Sequence, residues 1–216
     1  MNTKKLIDDA ELFVKNILGS DGSGHDWWHI HRVRTTALLI AKAEGADLFI
    51  VELAALLHDI DDWKLVGKNI TESNAKRWLS QNGVDPGITE KICAIIDGVS
   101  YKGANVNTAT NDPECKVVQD ADRLDAIGAI GIARTFAYGG NRGRGIYDPA
   151  IAPVMHDNFA EYQNSNAPTI NHFYEKLLLL KDQMQTPTGR VMAKQRHDFM
   201  LRFLDQFFAE WDGRNS

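Results

Sequence analysis

The chain has 216 residues, of which 44% are hydrophobic and 25% charged, with 17 Gly and 6 Pro, an ordinary globular composition that excludes disordered, collagen-like and low-complexity classes. Lys and Arg total 24 against 29 Asp and Glu, a net charge of −5, which argues against a protein whose main business is gripping duplex nucleic acid. The length predicts a single domain, 1–216, with a substantial core.

Apolar residues recur at intervals of three and four almost throughout, so the expected fold class is all-α, with helices over 3–18, 27–44, 47–58, 71–82, 87–98, 113–138, 169–183 and 187–211. The first of these carries Asp8, Asp9, Glu11 and Lys15 where a signal peptide needs an uninterrupted apolar stretch, and no 18-residue apolar run follows anywhere. Gly19, Gly45, Gly83 and Gly139 fall near expected helix ends, while Asp85-Pro86, Asp112-Pro113 and Thr186-Pro187 read as helix starts. Cys93 and Cys115 lack CxxC spacing and lie in apolar surroundings, which fits a reducing, cytoplasmic setting. The stretch 139–168, opening GGNRGRG, is long enough to be a lid, a binding loop or disorder. It is no P-loop, since it lacks GK[ST] and follows no strand. The last helix spaces Phe199, Phe203, Phe207 and Trp211 by four, an apolar stripe expected in the core or at a homodimer interface.

Chemistry-bearing residues gather in GHDWWHIHRV (24–33), ALLHDIDDW (55–63) and VVQDADRLDAIGAIG (117–131). Carboxylates beside a core stripe need partners, and metal ions are one kind. His25 and His29 could imitate the H-E-x-x-H zinc helix, but Asp26 stands where Glu belongs and no third ligand follows. Trp27, Trp28 and Trp63 allow base stacking or core packing, of which packing is the default.

Taken in order, HIHRV, AALLHDI and DADRLD resemble the H…HD…D pattern of the HD-domain metal-dependent phosphohydrolases. DADRLDAIGAIGIARTFAYGG and HFYEKLLLLKDQM are similar to the small stand-alone bacterial branch often called YedJ-like. The resemblance implies an HD-domain helical bundle whose metal-site core spans about 25–125, with the helices of about 169–211 packed on it. It implies His29, His58, Asp59 and Asp122 as ligands of one divalent cation. Two imidazoles and two carboxylates suit Mn²⁺, Mg²⁺, Fe²⁺ or Ni²⁺.

The family's acidic residue four past the second histidine corresponds to Asp62, expected as general base, with Asp61 its competitor. His25 and Asp26 are candidates for proton handling or for helix capping. Among the cations able to meet phosphate, Lys64 and Lys102 are preferred over Arg142, Arg144 and Lys176, while Arg32 and Arg123 suit ion pairs with the ligand carboxylates. The implied reaction is cleavage of nucleoside triphosphates to monophosphate and pyrophosphate; 5′-nucleotidase or phosphodiesterase activity and a non-catalytic nucleotide sensor are the alternatives. The HDxxED arrangement of the alarmone hydrolases is not present, because HD is followed by Ile60-Asp61-Asp62.

Overall fold

Residues 48–57, LFIVELAALL, present a single charged side chain, too little for a surface helix, and in the computed structural model they form the buried centre of the first of two compact units. The structure describes residues 2–18, 26–61, 73–99, 109–155 and 167–214. Among them are nine α-helices, one 3₁₀ helix and no strand. The first unit is Met1–Lys102 with Asn107–Asp122; the second is Gly103–Val106 with Arg123–Ser216.

The first unit contains α1 (Thr3–Leu18), α2 (Trp27–Glu44), α3 (Leu48–Leu57), α4 (Asn74–Gln81), α5 (Pro86–Val99) and most of α6 (Pro113–Asp125). Val51 and Leu53 to Leu57 of α3 have no accessible surface. They pack among Ala10 and Val14 of α1, Ile30, Val33 and Ala37 of α2, and Ile92 and Ile95 of α5. Each fully buried Leu or Ile here contributes about 1.5–3 kcal/mol of transfer free energy.

Gly45 ends α2 in the left-handed region (φ 74°), where a side chain would be strained, and Asp47 then caps α3 by accepting from the N–H groups of Phe49 and Ile50. So short a connection makes α2 and α3 an antiparallel hairpin. Its register is clasped by Arg34, whose guanidinium donates to Glu52 of α3 (2.9 and 2.5 Å) and to Glu11 of α1 (2.6 Å). Phe13 stacks on Trp78 at 5.6 Å, tying α4 to α1, and Lys76 pairs with Glu90 at 2.7 Å, tying α4 to α5.

One helix was expected over 113–138, but the chain breaks into α6 and α7 (Gly128–Asn141). Ile127 is extended (φ −126°, ψ 166°) and buried, and Gly128 takes φ 76°. Burying Ile127 outweighs helix continuity, and glycine makes the turn accessible. A Cβ on Gly131 would lie 2.2 Å from the Ala126 carbonyl oxygen, so the tight restart of α7 requires glycine there as well.

In the second unit, α7 is followed by α8 (Asn171–Glu175), the 3₁₀ helix Leu177–Gln183 and α9 (Pro187–Trp211). The single helix expected over 169–183 is interrupted at Lys176 (φ −145°). Thr186 caps α9 with Pro187 behind it, as the sequence predicts. The Phe stripe is not the core line of α9: Ala193, Met200 and Leu204 are buried, whereas Phe199 and Trp211 are 42% and 49% exposed. Phe203 instead joins Phe136 and Phe173, and Tyr147 meets Phe207, Phe208 and Trp211 edge-on.

Part of the expected irregular stretch is strongly bonded: Gly145 and Ile146 carbonyls accept from Thr169 and Ile170, Ile151 accepts from the Asn171 amide, and Val154 donates to Glu175. Residues 156–166 lie outside the described residues. No helix among the described residues is long and apolar enough to cross a membrane.

Candidate metal centre

Three segments of the first unit deliver polar side chains to one place. His29 sits in the first turn of α2, fixed by Asp26, whose carboxylate accepts from the His29 N–H at 2.9 Å. Of the two readings of Asp26, capping is the one seen. His58 and Asp59 lie just beyond α3, in a turn that has no left-handed residue. Asp122 projects from the last turn of α6.

His29 and His58 are 1% and 6% exposed, with ring centroids 5.4 Å apart. Nε2 of His29 stands 3.3 Å from Asp59 and 3.4 Å from Asp122, and Nε2 of His58 stands 3.5 and 3.9 Å from the same carboxylates. Donor atoms each about 2.1 Å from a common ion are roughly 3.0–3.4 Å from one another, close to this spacing. Nε2 of His58 is buried with no hydrogen-bond partner among the described residues, a costly arrangement unless something accepts its lone pair. Its other nitrogen, Nδ1, lies 2.9 Å from the Ala55 carbonyl oxygen. A carbonyl accepts only, so Nδ1 carries the proton and Nε2 offers a lone pair to the cluster. His29, His58 and Asp59 therefore fit a metal ion, with Asp122 facing both imidazoles.

Asp61, the competing base, is occupied elsewhere: its carboxylate accepts from the Ser73 hydroxyl at 2.6 Å and from the N–H groups of Asn74 and Ala75 at 2.8 and 3.1 Å. Asp62, His25, Lys64, Lys102 and Trp63 lie outside the described residues. Arg142, Arg144 and Lys176 belong to the second unit, where both arginines stack on the Tyr138 ring, at 5.4 and 5.8 Å. The Arg123 guanidinium, expected beside the ligand carboxylates, donates to the Gln183 carbonyl at 2.8 Å. Trp28 is 61% exposed, against the default of core packing. Trp27 is half-buried beneath the Lys15 ammonium, 4.4 Å away.

Sequence reasoning missed one support of the centre, the Ala55 carbonyl, a backbone atom that no motif announces. It also missed Gln119, buried one turn before Asp122, whose amide ties α6 to α5 by donating to the Gly98 carbonyl at 2.8 Å. Its only signal was a polar residue among Val117, Val118 and Ala121 on the buried side of the helix.

Comparison with known proteins agrees with this geometry. The HD domain family model matches residues 27–127, which holds all four expected ligands. YpgQ of Bacillus subtilis (strain 168) is 40% identical over 217 residues, covering 99% of this chain and 97% of YpgQ. The crystal structure of YpgQ in complex with ADP matches at a TM-score of 0.73 and 37% identity, over 94% of this chain and 97% of that one. A Bacillus thuringiensis HD-superfamily hydrolase matches at 0.77 and 41%, over 99% and 100% of the two chains. A Lactobacillus plantarum protein matches at 0.85 and 40%, again over 99% and 100%. The chain belongs to the HD-domain phosphohydrolase superfamily and is a metal-dependent phosphohydrolase.

Proposed function

We propose that this phosphohydrolase acts on nucleotides and cleaves nucleoside triphosphates to monophosphate and pyrophosphate, within the small stand-alone bacterial branch. The observation that carries the reading is the pair of buried imidazoles aimed at Asp59 and Asp122. It is supported by the ADP bound to YpgQ, which shares this fold at 37% identity.

In this reading His29, His58, Asp59 and Asp122 hold one divalent cation of the Mn²⁺, Mg²⁺, Fe²⁺ or Ni²⁺ class. The cation supplies Lewis-acid polarisation of a phosphoryl oxygen. Asp62 accepts the proton of the attacking water, with His25 assisting proton transfer. Water adds at the α-phosphorus, the bond to the bridging oxygen breaks, and pyrophosphate leaves with that oxygen. Lys64 and Lys102 meet the charge on the phosphate chain. The partner is a small phosphate compound, in the cytosol, with a homodimer as the expected assembly.

The test is a product-resolved hydrolysis panel on metal-stripped protein reloaded with each cation. It spans nucleoside tri-, di- and monophosphates, cyclic nucleotides and a generic phosphodiester, with Asp59→Ala as control. Pyrophosphate release that needs both metal and Asp59 is the expected result. Orthophosphate from monophosphates would reassign the protein as a 5′-nucleotidase, and turnover of cyclic nucleotides as a phosphodiesterase. Metal and nucleotide binding without turnover would make it a sensor.

A further inference from the structure

The turn that carries His58 and Asp59 lacks the usual device for ending a helix. Where α2 stops, Gly45 adopts φ 74° and sends its N–H back to the Ala41 carbonyl. Where α3 stops, His58 is still right-handed (φ −64°, ψ −29°), and no positive φ occurs through the turn. Two contacts shape it from inside: the His58 ring against the Ala55 carbonyl, and Ile60, which is fully buried and donates to the Leu57 carbonyl at 3.4 Å. Neither involves Asp61.

One carboxylate oxygen of Asp61 accepts from the Asn74 N–H, and the other accepts from the Ser73 hydroxyl and the Ala75 N–H. Ser73 and the first residues of α4 thus converge on one anion, which also meets the positive end of the helix. Ser73 in turn caps α4 by accepting from the Lys76 N–H at 3.2 Å. The helix at the other side of this tie is itself anchored, to α1 by the Phe13–Trp78 stack and to α5 by Lys76–Glu90.

We infer that Asp61 is a positioning residue for the metal centre: by clasping the N-terminus of α4 it holds the His58–Asp59 turn in the conformation that faces both ligands to His29. This inference rests on the metal-site reading and assigns Asp61 a role other than proton acceptor. A general base needs a lone pair directed at the attacking water, and the Asp61 oxygens are directed at three donors of α4.

The experiment is calorimetric titration of metal-stripped protein with Mn²⁺ for wild type, Asp61→Asn, Asp61→Ala, Ser73→Ala and the Asp61→Ala/Ser73→Ala double variant, with circular dichroism confirming helicity. Partners that orient metal ligands typically contribute 10- to 100-fold in affinity, so Asp61→Ala is expected to bind Mn²⁺ roughly 10- to 100-fold more weakly. Asp61→Asn keeps one acceptor oxygen and should lose less. Ser73→Ala, which touches no ligand, should weaken Mn²⁺ binding in the same direction, and the double variant should lose less than the product of the two singles. Ser73→Ala and Asp61→Asn decide the matter if Asp61→Ala fails to fold. Wild-type Mn²⁺ affinity in all the folded variants overturns the inference, and if Asp61→Asn then also loses turnover, Asp61 is the base. A wild type that binds none of Mn²⁺, Mg²⁺, Fe²⁺ and Ni²⁺ overturns the metal-site reading itself, a distinguishable failure.

Discussion

Nδ1 of His58, just past the end of α3, and the carbonyl oxygen of Ala55, three residues earlier within it, are 2.9 Å apart. That carbonyl belongs to the last turn of α3, where helical partners have run out, so a single hydrogen bond both satisfies a helix end and selects the tautomer that turns Nε2 toward Asp59 and Asp122. A ligand set with net charge −2 before the ion arrives is held together by the ion, so removing one member should show first in metal content.

His58→Ala and Asp59→Ala are each expected to remain helical yet to retain little metal after dialysis, where wild type keeps about one ion per chain. Elemental analysis of purified proteins checks this. Full metal occupancy in both variants would count against the centre.

Arg34 joins three helices through Glu11 and Glu52. Arg34→Met is expected to destabilise the protein by about 1–3 kcal/mol, between an exposed ion pair and a buried one, as read by urea unfolding. Arg34→Lys should not restore the loss, because an ammonium cannot span two carboxylates in a fixed fork. Glu52 takes two of the three contacts, so Glu52→Gln should cost more than Glu11→Gln.

A Cβ on Gly98 would stand 2.9 Å from the Cys115 sulfur and 3.6 Å from the Gln119 amide nitrogen. Gly98→Ala should therefore cost about 1–3 kcal/mol by overpacking. Cys115→Ala in the same chain should recover part of that loss, a non-additivity that a double-mutant cycle of unfolding free energies measures directly.

Acid should destabilise the chain in two windows. His172 keeps some surface yet is densely surrounded, and this burial, with the Lys176 and Arg144 cations, pushes it down from 6.5 to about 3. The unfolded chain therefore binds a proton that the folded chain refuses: this contribution is whole above pH 6.5 and is lost as pH falls toward 3. His172→Gln should flatten the stability profile between pH 6.5 and 4.5. Burial alone would raise Glu114, but the Lys91 ammonium at 2.6 Å and the Asp47 N–H at 3.0 Å hold it below its usual 4.5. Its contribution is present above pH 4.5 and is lost only below it, so Glu114→Gln should remove stability at neutral pH and leave the upper window unchanged. Chemical unfolding across pH 4–8 separates the two.

The helical class, the start of α3 near residue 47 and the Thr186 cap were legible in the sequence, because each depends on residues close together in the chain, and the clustering of His29, His58 and Asp59 was reached through a motif in chain order. Hydrophobic spacing of three and four is imposed by the helix itself, and a cap is chosen within three residues of the N–H it serves. The break at Ile127, the α9 core line through Met200 and Leu204, and the engagement of Asp61 by α4 were not legible. Local propensity favoured continuing the helix through Ala126 and Ile127, and burial of Ile127 overrode it. An aspartate two residues from a candidate metal ligand looks alike in sequence whether it faces water or a helix end. Which donors an acid meets depends on residues 12 to 14 positions away in the chain, and only the packing of α4 against α1 and α5 brings those donors to it.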